Sequence, residues 1–178
     1  MTRVIILGGG GFLGRKLAAA LAETGALAGK PISALVAADL AAPEGLPAGV
    51  EPLALDVAER EATAAALAEA DVPYDLAAVV SGQAEAEFDT GLRVNLEGTL
   101  SVLEAARRGG RTPRVVFTSS VAVYGGDVPS PIVDWTAPQP QTSYGAQKAA
   151  GELLLSDYSR KGFLDGVGLR LPTISIRP

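Results

Sequence analysis

Seven residues constrain this chain more than any other stretch: Gly8-Gly9-Gly10-Gly11-Phe12-Leu13-Gly14, set between the apolar run Val4-Ile5-Ile6-Leu7 and the alanine-rich Arg15-Lys16-Leu17-Ala18-Ala19-Ala20-Leu21. A β-branched run, a glycine turn and a helically periodic stretch read as strand, tight loop and helix. The first turn of a helix carries backbone N–H groups without intrahelical partners, and glycines let a pyrophosphate approach them. The stretch is therefore either a dinucleotide cradle or the ordinary tight turn of a βα unit. Two registers fit it: Gly9, Gly11 and Gly14 as G-x-G-x-x-G, and Gly8, Gly11 and Gly14 as G-x-x-G-x-x-G.

The alternation of strand and helix then repeats along the chain. After a turn from Gly25 to Pro31, Ile32 to Ala38 reads as a second buried strand ending at Asp39. An acid at the end of that strand accepts hydrogen bonds from ribose hydroxyls and repels a 2′-phosphate, so Asp39 favours NAD over NADP; the plainer alternative is a solvated loop aspartate. Ala41 to Pro52 is irregular, Leu53 to Val57 a short strand, Ala58 to Ala70 a helix, and Leu76 to Val80 a fourth strand followed by a Ser81-Gly82-Gln83 turn. The expected fold is α/β: a Rossmann-type, doubly wound parallel sheet in three αβα layers. Ligands gather at the carboxyl ends of such strands, the edge expected to hold Asp39, Asp56, Ala78 and Ser81.

Ala86 to Arg108 reads as one long helix with Leu92, Leu96, Leu100 and Leu103 as its apolar face. Asn95 in its middle is either on the surface or holds an adjacent loop by its amide. Arg114 to Thr118 is a fifth strand, with the pair Ser119-Ser120 at its carboxyl end. The proline-rich stretch Val128 to Gln141, with Trp135, is a loop that either lines the site or runs over the surface. Thr142-Ser143 caps a helix running from Tyr144 through Tyr158, and Val167 to Leu171 is a sixth strand.

Composition narrows the chemistry. The chain has 178 residues, 48% of them apolar, enough for one sizeable core and a single domain over 1–178. It has no cysteine and no histidine, which removes thiolate nucleophiles, imidazole acid–base chemistry and the common metal ligands; no metal is expected. A net charge of −5 without a basic stripe argues against nucleic acid, and no apolar run has the length to cross a bilayer. Residues 2–11 lead straight into a strand without a signal-peptide pattern, so a cytoplasmic enzyme acting on a small molecule is expected. Proton transfer near neutral pH then falls to Tyr, Lys, Asp or Glu. Tyr144 and Lys148 stand four residues apart, on one helix face. A neighbouring ammonium lowers a tyrosine pKa by about one to three units from about ten, within reach of general-base work.

These features together resemble the extended short-chain dehydrogenase/reductases, the NAD-dependent epimerase/dehydratase group. The resemblance rests on Gly8-x-x-Gly11-x-x-Gly14, Asp39, Asp56-Val57, Leu76-Ala77-Ala78, Asn95, Thr118-Ser119-Ser120-x-x-Val123-Tyr124-Gly125, Tyr144-x-x-x-Lys148 and Arg170-Leu171-Pro172. It implies Tyr144 as catalytic base or acid, Lys148 on the nicotinamide ribose while lowering the tyrosine pKa, and Ser120 hydrogen-bonded to the reacting oxygen. It also implies that Gly8, Gly11, Phe12, Leu13, Gly14, Asp39, Asp56, Val57, Leu76, Ala77, Ala78, Asn95 and Pro172 surround NAD. Ser81 and Ser119 would join Ser120 and Tyr144 on the substrate side. A homodimer through helices 87–108 and 144–161 is a further implication.

Within the group, Ala78 to Glu85 and Leu169 to Ile174 resemble the members that oxidise the 2-hydroxyl of D-erythronate, a four-carbon sugar acid. Val121-Ala122 stand where sugar-nucleotide dehydratases carry Asp-Glu, which disfavours dehydration. A nucleotide-sugar epimerase and a non-catalytic NAD-binding module are the alternatives. Two positions depart from the pattern: Leu7 replaces a frequent threonine, and Asp75 stands at the expected start of the fourth strand where many relatives have histidine. Relatives continue beyond the Arg177-Pro178 position into a smaller lobe over the substrate, so this chain is expected either to be the cofactor part of a longer protein or to leave its substrate side open.

Overall fold

β1 (Thr2–Leu7) sends Val4 and Ile6 to one face of a sheet and Ile5 and Leu7 to the other, and all four are buried. Burial on both faces is why the run is continuously apolar rather than alternating. The computed structural model describes residues 1–174; Arg177 and Pro178, where the longer relatives continue, lie outside the described residues. The chain proceeds through α1 (Phe12–Thr24), β2 (Ala26–Leu27), β3 (Lys30–Asp39), β4 (Val50–Ala54), α2 (Arg60–Leu67), β5 (Val72–Asp75), α3 (Ser81–Ala86) and α4 (Phe88–Gly91). A π-helical stretch (Leu92–Gly98), α5 (Thr99–Gly109), β6 (Arg114–Ser120), a 3₁₀ turn (Val121–Val123), α6 (Ser143–Arg160) and β7 (Asp165–Leu171) complete it.

The sheet is seven-stranded, with β2-β3-β1-β5-β6-β7 in order and β4 beside β3; every pairing is parallel except the short β2 ribbon. The chain winds outward from β1 to β3 and β4, then returns to β5 on β1's other side. That reversal opens a crevice at the carboxyl ends of β1 and β5. One core layer packs α1 against Val4, Ile6, Leu35 and Ala37; the other packs α2, α5 and α6 against Ile5, Leu7, Val115 and Phe117. The three αβα layers of the expected Rossmann-type doubly wound sheet are thus present.

Several local readings are corrected. The strand expected at Leu76 to Val80 is β5, Val72–Asp75, and its register ends where Asp75 meets Leu7. Leu76 to Val80 leave the sheet and fold over the glycine loop, apolar because they wall a groove rather than fill a core. Asp75 consequently ends its strand instead of starting one. Likewise the strand expected at Leu53 to Val57 is β4, Val50–Ala54. It lies at the sheet edge, where Pro52 is tolerated, and Leu55 to Val57 fall past the carboxyl end. Ser81-Gly82-Gln83 opens α3 rather than forming a turn. The helix expected at Ala58 to Ala70 is the shorter α2, and the Gly25 to Pro31 turn contains the β2 ribbon.

The long helix runs from Phe88 to Gly109 with a π-helical middle. The wider turn shifts the helical register, so Asn95, Thr99, Val102, Leu103 and Ala106 face inward while Leu92, Leu96 and Leu100 are only half-buried. In α6, Thr142 caps the first turn by accepting from Gly145 N at 3.1 Å. Gly151 lies so close to β6 that a Cβ would meet the Phe117 ring at 2.7 Å, which seats the helix tightly on the strand. The Val128 to Gln141 loop is a surface excursion around a cavity of its own, with Trp135 85% exposed. No helix among the described residues is long and apolar enough to cross a membrane.

Candidate active site

Gly8 adopts φ +79°, and a Cβ there would lie 2.8 Å from the Leu76 carbonyl carbon. Gly14, in the first turn of α1, sits so near the Gly8 carbonyl oxygen that no side chain fits. Gly9 backs onto Ala37 of β3, whereas Gly8, Gly11 and Gly14 face the groove, which selects the second of the two glycine registers. α1 starts after Gly11 with no side chain capping its first turn. Its free N–H donors open on a groove walled by Phe12 and Leu13, a natural seat for an anion.

Two cavities meet along this loop and share Gly8, Gly11, Leu76 and Ala78 as a common wall. The smaller, about 260 Å³, is lined by Asp39, Asp56, Val57, Ala77 and Val79, with Arg93 at its rim. The larger, about 630 Å³, runs past Phe12, Leu13, Gly14 and Val80 to Thr118, Ser119, Ser120, Tyr144 and the segment Leu171, Pro172, Thr173, Ile174.

The acids of the smaller cavity are held in place by backbone. Asp39 accepts from Gly10 N (Oδ2, 2.9 Å) and Leu40 N (Oδ1, 2.8 Å), so it both fixes the glycine loop and presents a carboxylate to the cavity. Asp56 accepts from Ala58 N at 2.9 Å and pairs with Arg93 at 2.6 Å. Burial opposes its charge, but the Arg93 and Ala58 hydrogen bonds outweigh it and keep the carboxyl below the usual range.

At the far end of the larger cavity, Ser120 Oγ accepts from Ala122 N at 3.1 Å, which leaves its hydroxyl hydrogen available to donate. Tyr144 lies beside it. The expected lowering of the Tyr144 pKa is corrected: burial raises the phenol above its usual value, and only the contact with Ser120 opposes this. Lys148 is on the same helix face, 1% exposed, with Nζ 5.9 Å from the centroid of the Tyr144 ring. Burial draws the lysine toward neutrality, opposed by Asp75.

Three other expected site residues take different places. Ser119 lines the larger cavity but is only 2% exposed, and its hydroxyl donates to Glu152, which gives it a structural bond at the end of β6. Glu152 in turn grips Arg170 of β7 through Nε (2.9 Å) and Nη2 (2.7 Å), while Arg170 also contacts the Tyr124 hydroxyl. This ties the end of β6 to α6 and β7. Asn95 is fully buried behind the groove, where it holds Val79 through both main-chain groups (2.9 and 3.2 Å). Ser81 opens α3, one residue beyond Val80 of the groove wall.

The sequence reading missed Arg93, Gln147 and the Glu152–Arg170 pair. Glu152 follows Lys148 at the same i,i+4 spacing that joins Tyr144 to Lys148, a signal available in the sequence. Arg93 pairs across thirty-seven positions with Asp56 and left no local sign.

Comparison with known proteins agrees with this geometry. The model of the NAD dependent epimerase/dehydratase family matches residues 4–175. A D-erythronate dehydrogenase of Cupriavidus necator is 52% identical over 98% of this chain and 56% of its own length. One from Haemophilus influenzae is 41% identical, over 99% of this chain and 56% of its own length. A nucleoside-diphosphate-sugar epimerase structure from Agrobacterium tumefaciens superposes with TM-score 0.91 at 47% identity, over 99% of this chain and 54% of that one. The UDP-glucose 4-epimerase of Thermus thermophilus, solved with NAD, gives 0.80 at 29% identity, over 95% of this chain and 54% of that one. The chain thus spans about half the length of the curated relatives it matches. The glycine loop, Asp39 and Tyr144 line the joined cavities, with Lys148 buried behind Tyr144, and the family model spans nearly the whole chain: the chain belongs to the NAD dependent epimerase/dehydratase family.

Proposed function

We propose that residues 1–178 form the NAD-binding domain of an oxidoreductase that removes hydride from a secondary alcohol of a small sugar acid of the D-erythronate type. One observation carries the reading: two joined cavities run from the strand-end carboxylate of Asp39 across the glycine loop to Ser120 and Tyr144. The groove suits a dinucleotide, with unpaired helix N–H groups at its middle for the pyrophosphate. Bound NAD supplies a hydride acceptor. Asp39 would hold the adenosine ribose, and Phe12, Leu13 and Pro172 would flank the cofactor. Ser120 donates a hydrogen bond to the substrate oxygen, and Tyr144 takes the hydroxyl proton as the carbon is oxidised. Lys148 supplies positive charge beside the phenol.

The sugar-acid substrate is supported by the two D-erythronate dehydrogenases among the relatives. The superposition on a nucleoside-diphosphate-sugar epimerase favours a second reading, in which the same residues return the hydride to the sugar. Incubation with NAD and D-erythronate separates them: NADH accumulation supports the dehydrogenase, whereas interconversion of a nucleotide sugar without net NADH supports the epimerase. NAD binding with neither reaction points to a non-catalytic module. The same reading places the protein in the cytoplasm as a homodimer through helices 87–108 and 144–161. Phe88 and Leu153, 57% and 73% exposed on those helices, support that face; Leu153→Glu would give a monomer in light scattering.

A further inference from the structure

Asp75 and Lys148 are the charged side chains sealed inside the described part of the chain, 2% and 1% exposed. β5 delivers the carboxylate and α6 the ammonium. Each retains a polar atom without a hydrogen-bond partner among the described residues, Oδ2 of Asp75 and Nζ of Lys148. Buried charge is tolerated when it is opposed by another, and lone charges neutralise instead. Lys148 Nζ stands 4.7 Å from the centroid of the Phe117 ring of β6 and 5.9 Å from that of Tyr144 on its own helix. Glu152, one turn further along α6, is tied to Arg170 and Ser119. Thr99 of α5 lies beside Asp75 and is uncharged. Asp75 is the sheet partner of Phe117, the residue whose ring Lys148 Nζ overlies, so carboxylate and ammonium are gathered at one residue of β6 without closing into a direct ion pair, and Asp75 is the negative charge left to face Lys148. Burial pushes the two groups toward neutrality, and each opposes that drift in the other.

We propose that Asp75 is the buried counter-ion of Lys148, a positioning residue that keeps the ammonium charged and seated beside Tyr144. An ammonium held charged 5.9 Å from the centroid of the Tyr144 ring favours the phenolate. The consequence for catalysis rests on Tyr144 being the acid–base group; the pairing itself does not.

The test is an NMR titration of the lysine ε-methylene signals in the 178-residue chain, which has lysines at Lys16, Lys30, Lys148 and Lys161. The Lys148 signal is the one lost in Lys148→Met. Its midpoint should fall by about one pH unit or more in Asp75→Asn and recover in Asp75→Glu. An unchanged midpoint in Asp75→Asn overturns the proposal. Should Asp75→Asn not fold, Asp75→His serves, read above the imidazole's own titration, with the same fall expected. Phenolate absorbance, taken as the difference from Tyr144→Phe, should shift to higher pH in Asp75→Asn; a shift to lower pH means that Lys148 stays charged alone and overturns it too. If Lys148 depends on Asp75 while Tyr144→Phe remains fully active, the counter-ion stands and the acid–base reading falls. An unchanged Lys148 midpoint beside an inactive Tyr144→Phe overturns the counter-ion and leaves the acid–base reading standing.

Discussion

The Asn95 amide donates to Gln147 Oε1 across 2.8 Å in a junction closed to solvent, joining the π-helical stretch to α6. The same side chain holds the main chain of Val79, in the wall of the smaller cavity. Asn95→Leu would strand these partners in the interior. We expect a loss of about 2–4 kcal/mol of stability, since each unsatisfied buried group costs about 1–3 kcal/mol. Urea unfolding measures this, and NAD affinity should weaken as the wall loosens.

Asp39 has two tasks, bonding Gly10 N and facing the smaller cavity. Asp39→Ala should weaken NAD binding by about tenfold to a hundredfold, the equivalent of a charged hydrogen bond. It should also narrow the preference for NAD over NADP by removing the charge that repels a 2′-phosphate. Calorimetric titration with both nucleotides checks this, and unchanged affinities would remove Asp39 from the site.

Much of this site was legible because its residues repeat at fixed local spacings. Gly8 to Gly14 and the Tyr144–Lys148 interval each specify a turn or a face by themselves, and the structure lines one groove with the glycine loop and Tyr144 while burying Lys148 behind it. Leu76 to Val80 were misread because a groove wall and a buried strand are equally apolar; only the register of β5 against β1 tells them apart. Asn95 was left open since its role depends on a loop sixteen positions away. Asp75 was the position hardest to place, and its partner lies on α6, beyond the reach of any local pattern.

Acid stability offers a test away from the site. Glu104 accepts from Arg107, Arg108 and Tyr158, and the Arg107 bond first, then the Tyr158 bond, lower its pKa from 4.5 to about 2. A carboxyl with a lowered native pKa stabilises fully above its unfolded value and loses that contribution as pH falls through its native one. The native chain should lose stability between about pH 4.5 and 2 more steeply than Glu104→Gln, measured by urea midpoints across that range.

In the proposed oxidation, the raised Tyr144 pKa sets the pH course. Alcohol oxidation consumes the phenolate, so kcat/KM for oxidation should climb as pH rises from neutral into the alkaline range. A profile that is flat on the alkaline side would remove Tyr144 from proton transfer.

The most direct measurement of the account is Tyr144→Phe, assayed for NAD affinity by calorimetry and for NADH formation from D-erythronate in the same preparation. The phenyl ring keeps the groove wall and loses only the hydroxyl, so NAD affinity should stay within about twofold while turnover falls by about 10²–10⁴-fold, the scale of general acid–base catalysis. NADH formation at the native rate by Tyr144→Phe would contradict the account.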